Sequence, residues 1–146
     1  MNKQFKLLSI VIPAKNEARS LERLLPSVKK MCPEAEVLVV DDGSTDDTVD
    51  VCNSAGVMLL SHHYSKGNGA AIKTGARAAK GDVLVFMDAD GQHKPDDLPR
   101  LVEVFNSGYD MVVGARQAGS QAGLHRSVAN DIFSRFASWM VMQPIA

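Results

Sequence analysis

Residues 82–92 read Asp82-Val83-Leu84-Val85-Phe86-Met87-Asp88-Ala89-Asp90-Gly91-Gln92. The stretch from Asp82 to Met87 is expected to be a strand, because it is short, apolar and ends at once on a polar turn. It does not alternate between apolar and polar residues. Both of its faces are therefore expected to be covered, as in a parallel sheet packed between helical layers.

The same pattern recurs along the chain. Leu8 to Ile12, Glu36 to Val40, Val57 to Ser61 and Tyr109 to Val113 read as further strands. Between them lie helical patterns. Glu17 to Lys30 carries Leu21, Leu24, Leu25 and Val28 at helical spacing, and Pro26 is expected to kink or shorten that helix. Ser44 and Asp47 form a capping-box-like pair opening a helix to about Ser54, with Gly56 as its stop. A loop from His62 to Asn68 leads to an alanine-rich helix that Gly81 ends. Pro95, Asp96 and Asp97 start a helix through about Asn106. After a polar loop at 116–126, Ser127 to Met142 places Val128, Ile132, Phe133, Phe136 and Met140 on one side. The order β-α-β-α-β-α-β-α-β-loop-α predicts an α/β, Rossmann-like fold with a mostly parallel sheet flanked by helices.

The 146 residues suffice for one domain, expected to span 1–146. Hydrophobic residues make up 45% and charged residues 23%, ordinary for a globular protein, and a net charge of −1 argues against a nucleic-acid partner. Cys32 and Cys52 form no CxxC pair, so two free thiols in a reducing compartment are expected. No apolar run approaches the ~20 residues of a membrane span. Lys3 and Lys6 precede Leu7 to Ile12 in the manner of a signal peptide, but Pro13, Lys15, Asn16 and Glu17 follow with no small-residue cleavage site. A first strand of a cytoplasmic protein is expected instead.

Ligands of such sheets bind beyond the carboxyl ends of the strands. That rule selects Pro13 to Glu17, Asp41 to Ser44 and Asp88 to His93. Asp88 and Asp90, alternate carboxylates at a strand exit, can converge on a divalent cation, Mg²⁺ or Mn²⁺, with Gln92 adding an amide oxygen. A solvated acidic turn is the plainer reading of that triplet alone. Asp41, nearest its strand, is expected to contact a ligand, whereas Asp42 and Ser44 are read as turn and helix caps. Glu17 has an alternative role as a first-turn helix carboxylate.

Lys66-Gly67-Asn68-Gly69 opens a helix, where close backbone approach and a nearby cation suit a phosphate or a nucleotide edge. It is not a dinucleotide fingerprint, since Ile72 stands where a third glycine belongs. Arg116 can pair with a diphosphate or simply be a surface arginine. Of the four histidines, His62 and His63 read as loop residues, His125 as flanking a helix, and only His93, beside the acidic motif, as a site candidate.

Five segments together resemble family 2 glycosyltransferases of the GT-A fold: Ser9-Ile10-Val11-Ile12-Pro13-Ala14-Lys15-Asn16-Glu17, Val39-Val40-Asp41-Asp42-Gly43-Ser44-Thr45-Asp46, Lys66-Gly67-Asn68-Gly69-Ala70, Asp88-Ala89-Asp90-Gly91-Gln92-His93 and Val113-Gly114-Ala115-Arg116. They occur in order over almost the whole chain. The DADGQ and GAR forms are most similar to the polyprenyl-phosphate branch, which includes dolichol-phosphate mannosyltransferases. The resemblance implies that Pro13, Lys15, Glu17, Val39 and Asp41 line a nucleoside pocket edged by Lys66 and Gly67. It implies that Asp88, Ala89 and Asp90 meet the nucleotide-sugar. Asp88, Asp90 and Gln92 would hold Mg²⁺ or Mn²⁺ against the diphosphate, with Asp90 and Arg116 catalytic. The family usually has Tyr or Phe near Lys15; this chain does not.

The implied activity is inverting transfer of a sugar, mannose or glucose, from a GDP- or UDP-sugar to a polyprenyl or dolichyl phosphate. A lipid phosphate is already anionic at pH 7 and needs no strong general base. Members of this branch usually continue well past 146 residues, so a C-terminally truncated domain is expected. Donor binding without transfer, and transfer to a saccharide acceptor in cell-surface polysaccharide synthesis, are the alternatives. The last helix, with Phe133, Phe136, Trp139 and Met140, would serve core packing, a homodimer or the cytoplasmic face of a membrane. An aspartyl phosphatase is disfavoured because its motif follows the first strand, and an EF-hand because His93 occupies its glycine position.

Overall fold

The computed structural model describes residues 5–114, and the fold belongs to a compact unit that ends at Val112. Arg116, His125 and the helix expected at Ser127 to Met142 lie outside the described residues. The elements are β1 (Leu8–Ala14), α1 (Ala18–Met31), β2 (Glu36–Asp41), α2 (Thr48–Ala55), β3 (Met58–Ser61), α3 (Asn68–Ala78), β4 (Val83–Phe86) and α4 (Leu98–Asn106), with a 3₁₀ turn at Pro95–Asp97 leading into α4. All strand pairs are parallel, in the order β3-β2-β1-β4. The expected parallel α/β sheet is therefore present. Among the described residues no helix is long and apolar enough to cross a membrane.

Side chains alternate across each strand, and this sorts the core into two layers. Ile10, Ile12, Val37 and Val39 join Leu21, Leu25 and Val28 of α1 and Cys52 of α2 on one face. Val11, Leu38 and Val40 join Ala71 of α3 on the other. Burial of each such aliphatic side chain stabilises by about 1.5–3 kcal/mol. Both faces being covered explains why β1 and β2 read as nearly continuous apolar runs, whereas β4, with Phe86 exposed, is less covered. Cys32 and Cys52 are free thiols, and burial, with Asp41 adding to it, pushes the Cys52 thiol up to about 11.

The distance of α3 from the sheet is set at Gly75. A Cβ there would stand 2.3 Å from Val11 Cγ1 and 3.0 Å from Val40 Cγ2, so no larger residue lets the helix sit this close. The gain in contact outweighs the ~1 kcal/mol that a mid-helix glycine costs. Gly81 works similarly: it lies beyond the Ala79 cap of α3, where an added Cβ would meet Ser9 and Leu7 backbone atoms. It permits close passage rather than ending the helix.

Three further expectations are corrected. Pro26 does not shorten α1, which runs through it to Met31. Pro26 and Glu22, four residues earlier, both lie on the exposed side, so the missing backbone bond costs least there. Ser44 and Asp47 do not form a capping box; Asp47 makes no side-chain cap bond, and Ser44 is engaged elsewhere. Gly56 does close α2, in a left-handed conformation. Finally, Tyr109 to Val113 is irregular rather than a strand, with Tyr109, Met111 and Val113 exposed. An apolar run is equally compatible with either state until a paired edge holds it.

Candidate active site

The carboxyl ends of β1, β2 and β4 open onto one cleft of about 380 Å³. Pro13, Ala14, Lys15 and Glu17 form one side of it. Asp88, Ala89 and Asp90 form another. Asp42, with Ser65 and Gly67 from the segment before α3 and Asn68 at its start, forms the third.

The loop after β1 is held by the loop after β2. Asn16 adopts a left-handed conformation (φ 55°), which asparagine tolerates better than most residues. Its N–H donates to Ser44 Oγ at 2.8 Å, and its side-chain oxygen accepts from the Thr45 N–H at 2.8 Å. The Glu17 N–H donates to Thr48 Oγ1 at 3.0 Å and the Ala18 N–H to Asp46 Oδ2 at 3.1 Å. Asp46 and Thr48, at the entry to α2, thus bond the N–H groups at the start of α1. Asp46 also accepts from the Thr48 hydroxyl, and that bond, ahead of the others, lowers its pKa below the usual carboxylate range.

Strand parity decides which acidic residue faces the cleft. Asp41 lies opposite Ala14 and Ser61, is buried, and accepts from the Ser44 N–H at 2.9 Å. It shares the α1 face with Val39. Asp42, one residue on, shares the α3 face with Val40 and lines the cleft. It accepts from the Lys66 and Gly67 N–H groups at 2.8 and 2.9 Å, from Ser65 Oγ at 2.7 Å and from His62 Nδ1 at 2.7 Å. Burial pushes its pKa up, but these four bonds outweigh burial and hold it far below the carboxylate range.

Asp88 is about half exposed. Its N–H donates to His93 Nδ1 at 3.1 Å, while His93 Nε2 lies 3.9 Å from its Oδ2. Asp90 Oδ1 accepts from the Gln92 N–H at 2.9 Å. Met87 and Ala89, on either side of Asp88, are anchored in the core, which fixes the loop's origin. Among the described residues no three His, Cys, Asp or Glu side chains gather to form a closed metal cage. Two accessible carboxylates on one cleft wall instead suit a hard divalent ion that takes its remaining oxygens from a bound diphosphate and water, as Mg²⁺ and Mn²⁺ characteristically do.

Of the residues singled out in the sequence, Pro13, Lys15, Glu17, Gly67, Asp88, Ala89 and Asp90 line this cleft together. Val39 is fully buried within β2. Lys66 extends its ammonium to 5.6 Å from the Tyr64 ring centroid. Gln92 is exposed beyond Asp90. Asp42, Ser65 and His62 were missed as site residues. Asp42 had the signal of standing second after an apolar strand, but only the register of β2 reveals its face.

A parallel sheet flanked by helices, with a cleft at its carboxyl ends, is the architecture of the GT-A glycosyltransferases. The family model for glycosyl transferase family 2 matches residues 9–143, and the chain belongs to that family. It is 38% identical over 143 residues to an undecaprenyl-phosphate 4-deoxy-4-formamido-L-arabinose transferase of Photorhabdus laumondii, covering 90% of this chain and 43% of that protein. The transferase of the same name from Pectobacterium atrosepticum is 39% identical over 137 residues, with 86% and 41% covered. The chain thus spans less than half the length of these curated relatives. Among solved structures, glucosyl-3-phosphoglycerate synthase from Mycobacterium tuberculosis, in complex with Mn²⁺, UDP and glucosyl-3-phosphoglycerate, matches with a TM-score of 0.62 and 31% identity, over 70% of this chain and 40% of that one.

Proposed function

We propose that this chain forms the donor-binding part of an inverting glycosyltransferase that moves a sugar from a nucleoside diphosphate to a polyprenyl phosphate. The observation that carries this reading is the single cleft shared by the Pro13–Glu17 loop, the Gly67–Asn68 entry to α3 and the Asp88–Asp90 loop. The curated relatives named as acting on undecaprenyl phosphate favour the lipid acceptor. The solved neighbour that holds UDP favours a uridine nucleotide over guanosine.

In the proposed reaction the bond from the anomeric carbon to the donor phosphate breaks while a lipid-phosphate oxygen bonds to that carbon from the opposite face. The nucleoside diphosphate leaves with the electron pair. The anomeric centre becomes oxocarbenium-like, as in glycoside hydrolysis. A divalent ion held by Asp88 and Asp90, with Gln92 adjacent, would supply charge neutralisation for the departing diphosphate. Lys15, exposed on the rim, adds a cation on the same cleft. The first turn of α3 opens at Asn68 on the cleft wall, and its unpaired N–H groups favour an anion there. Arg116 is proposed as a further phosphate partner. Glu17 lines the cleft and is proposed to meet ribose hydroxyls rather than to act as a base, since a phosphate acceptor is already ionised.

The test is transfer of radiolabelled sugar from UDP-glucose, UDP-4-deoxy-4-formamido-L-arabinose and GDP-mannose to undecaprenyl phosphate with Mn²⁺ or Mg²⁺. Lipid-linked product from one donor, with inverted configuration, is the expected result. Transfer only to a saccharide acceptor would overturn the lipid reading. Donor binding by residues 1–146 alone without turnover would limit this chain to the donor half.

A further inference from the structure

His62 follows β3 directly, and its N–H still donates to the Asp41 carbonyl at 2.9 Å, which fixes where its ring begins. The ring is only 7% exposed and lies between two elements. Nδ1 is 2.7 Å from Asp42 Oδ1, and Nε2 is 3.0 Å from Thr74 Oγ1 on α3. Asp42 is an ionised acceptor, so Nδ1 carries a proton and donates to it; in the neutral ring the Thr74 hydroxyl then donates to Nε2. Thr74 reaches this ring because Gly75 beside it lets α3 lie close against the sheet.

A carboxylate has about four acceptor positions, and Asp42 uses them on His62, Ser65, Lys66 and Gly67. Three of these donors belong to the segment that forms one wall of the cleft. Gly43 makes the crossing possible: a Cβ there would stand 2.9 Å from the Ser65 nitrogen and 3.0 Å from the Tyr64 carbonyl carbon. Asp42 is therefore committed to holding the wall.

We infer that His62 is a positioning residue that latches the Ser65–Gly67 wall of the cleft by aligning the Asp42 carboxylate against Thr74. The ring donates to Oδ1, the same oxygen that accepts from the Lys66 N–H, while Ser65 and Gly67 donate to Oδ2. Without it the carboxylate can rotate, and two backbone N–H groups and a hydroxyl lose a fixed acceptor. The wall's effect on ligand affinity rests on the donor-site reading above; its effect on the loop does not.

Two substitutions separate positioning from bulk. Asparagine places an amide donor where His62 Nδ1 stands, whereas glutamine places one near Nε2. His62→Asn therefore keeps the bond to Asp42, and His62→Gln keeps only the side facing Thr74. In ligand-free protein, amide hydrogen exchange at Lys66 and Gly67 is expected to stay near wild type in His62→Asn. It is expected to accelerate about tenfold or more in His62→Gln and His62→Ala, as a charge-assisted network loses its fixed partner. The Kd for UDP with Mn²⁺ is expected to rise about tenfold in the same two variants and less than twofold in His62→Asn. Equal protection of the two amides in all variants, or identical behaviour of His62→Asn and His62→Gln, would overturn the latch. If His62→Ala does not fold, the Asn and Gln pair still decides. Should the exchange pattern hold while folded wild type binds no UDP, the latch stands and the donor reading falls.

Discussion

The Asn16 N–H donates to Ser44 Oγ at 2.8 Å, joining the loop that follows β1 to the loop that follows β2. The Glu17 N–H to Thr48 Oγ1 and the Ala18 N–H to Asp46 Oδ2 bonds join the same two segments. Bound together, with Asn16 also receiving the Thr45 N–H, they present Lys15 and Glu17 on a fixed side of the cleft.

Ser44→Ala removes one acceptor from a partly exposed site. A loss of about 1 kcal/mol in unfolding free energy is expected, read from the urea midpoint at constant m-value. Nucleotide affinity should fall further than this stability change would suggest, because one of the bonds that hold the loop carrying Lys15 and Glu17 is lost. Unchanged affinity alongside reduced stability would confine the bond to a structural role.

Gly75→Ala is expected to destabilise by about 1–3 kcal/mol, even though alanine is the better helix former. The new methyl would lie 2.3 Å from Val11 Cγ1, so α3 must move off the sheet. Val11→Ala in the same protein should recover part of the loss, and a double-mutant cycle from denaturation curves measures that coupling. Strict additivity would show that the contact between α3 and β1 does not set the helix position.

Acid stability follows from Asp42. Its folded pKa lies below its unfolded value of about 3.9. The stability it contributes is therefore fully present above the unfolded value and is lost as pH falls from there toward the folded one. Unfolding midpoints between pH 7 and 3 should decline more steeply in wild type than in Asp42→Asn. Asp46, Asp82 and Glu36, whose pKa values are also lowered, contribute to the acid limb in both proteins. Parallel curves for the two proteins would show that Asp42 is not the dominant acid-sensitive group.

Much of this architecture was legible in the sequence, for identifiable reasons. Apolar runs such as Val37 to Val40 announce a doubly covered parallel sheet, and the chemistry of that sheet places ligands at its carboxyl ends. Pro13, Lys15, Glu17, Asp88 and Asp90 consequently fall on one cleft, as expected. What escaped depended on facts that are not local. Because β2 is apolar on both faces, its sequence does not say whether Asp41 or Asp42 points toward α3; register decides it. Ser44 has the composition of an N-cap, but its partner came from Asn16, 28 residues away in sequence. His62 looked like a loop residue because nothing near it in sequence marks Thr74 and Asp42 as its neighbours. Tyr109 to Val113 had strand composition but lacks a paired edge among the described residues.

The most direct test is calorimetric titration of UDP into wild type and Asp90→Asn, each with and without Mn²⁺. Binding that requires Mn²⁺ and weakens at least about tenfold in Asp90→Asn, a change of ~1.4 kcal/mol, is the expected result. UDP affinity that is indifferent to both Mn²⁺ and Asp90, or no binding to folded wild type, would contradict a metal-assisted donor site in this cleft.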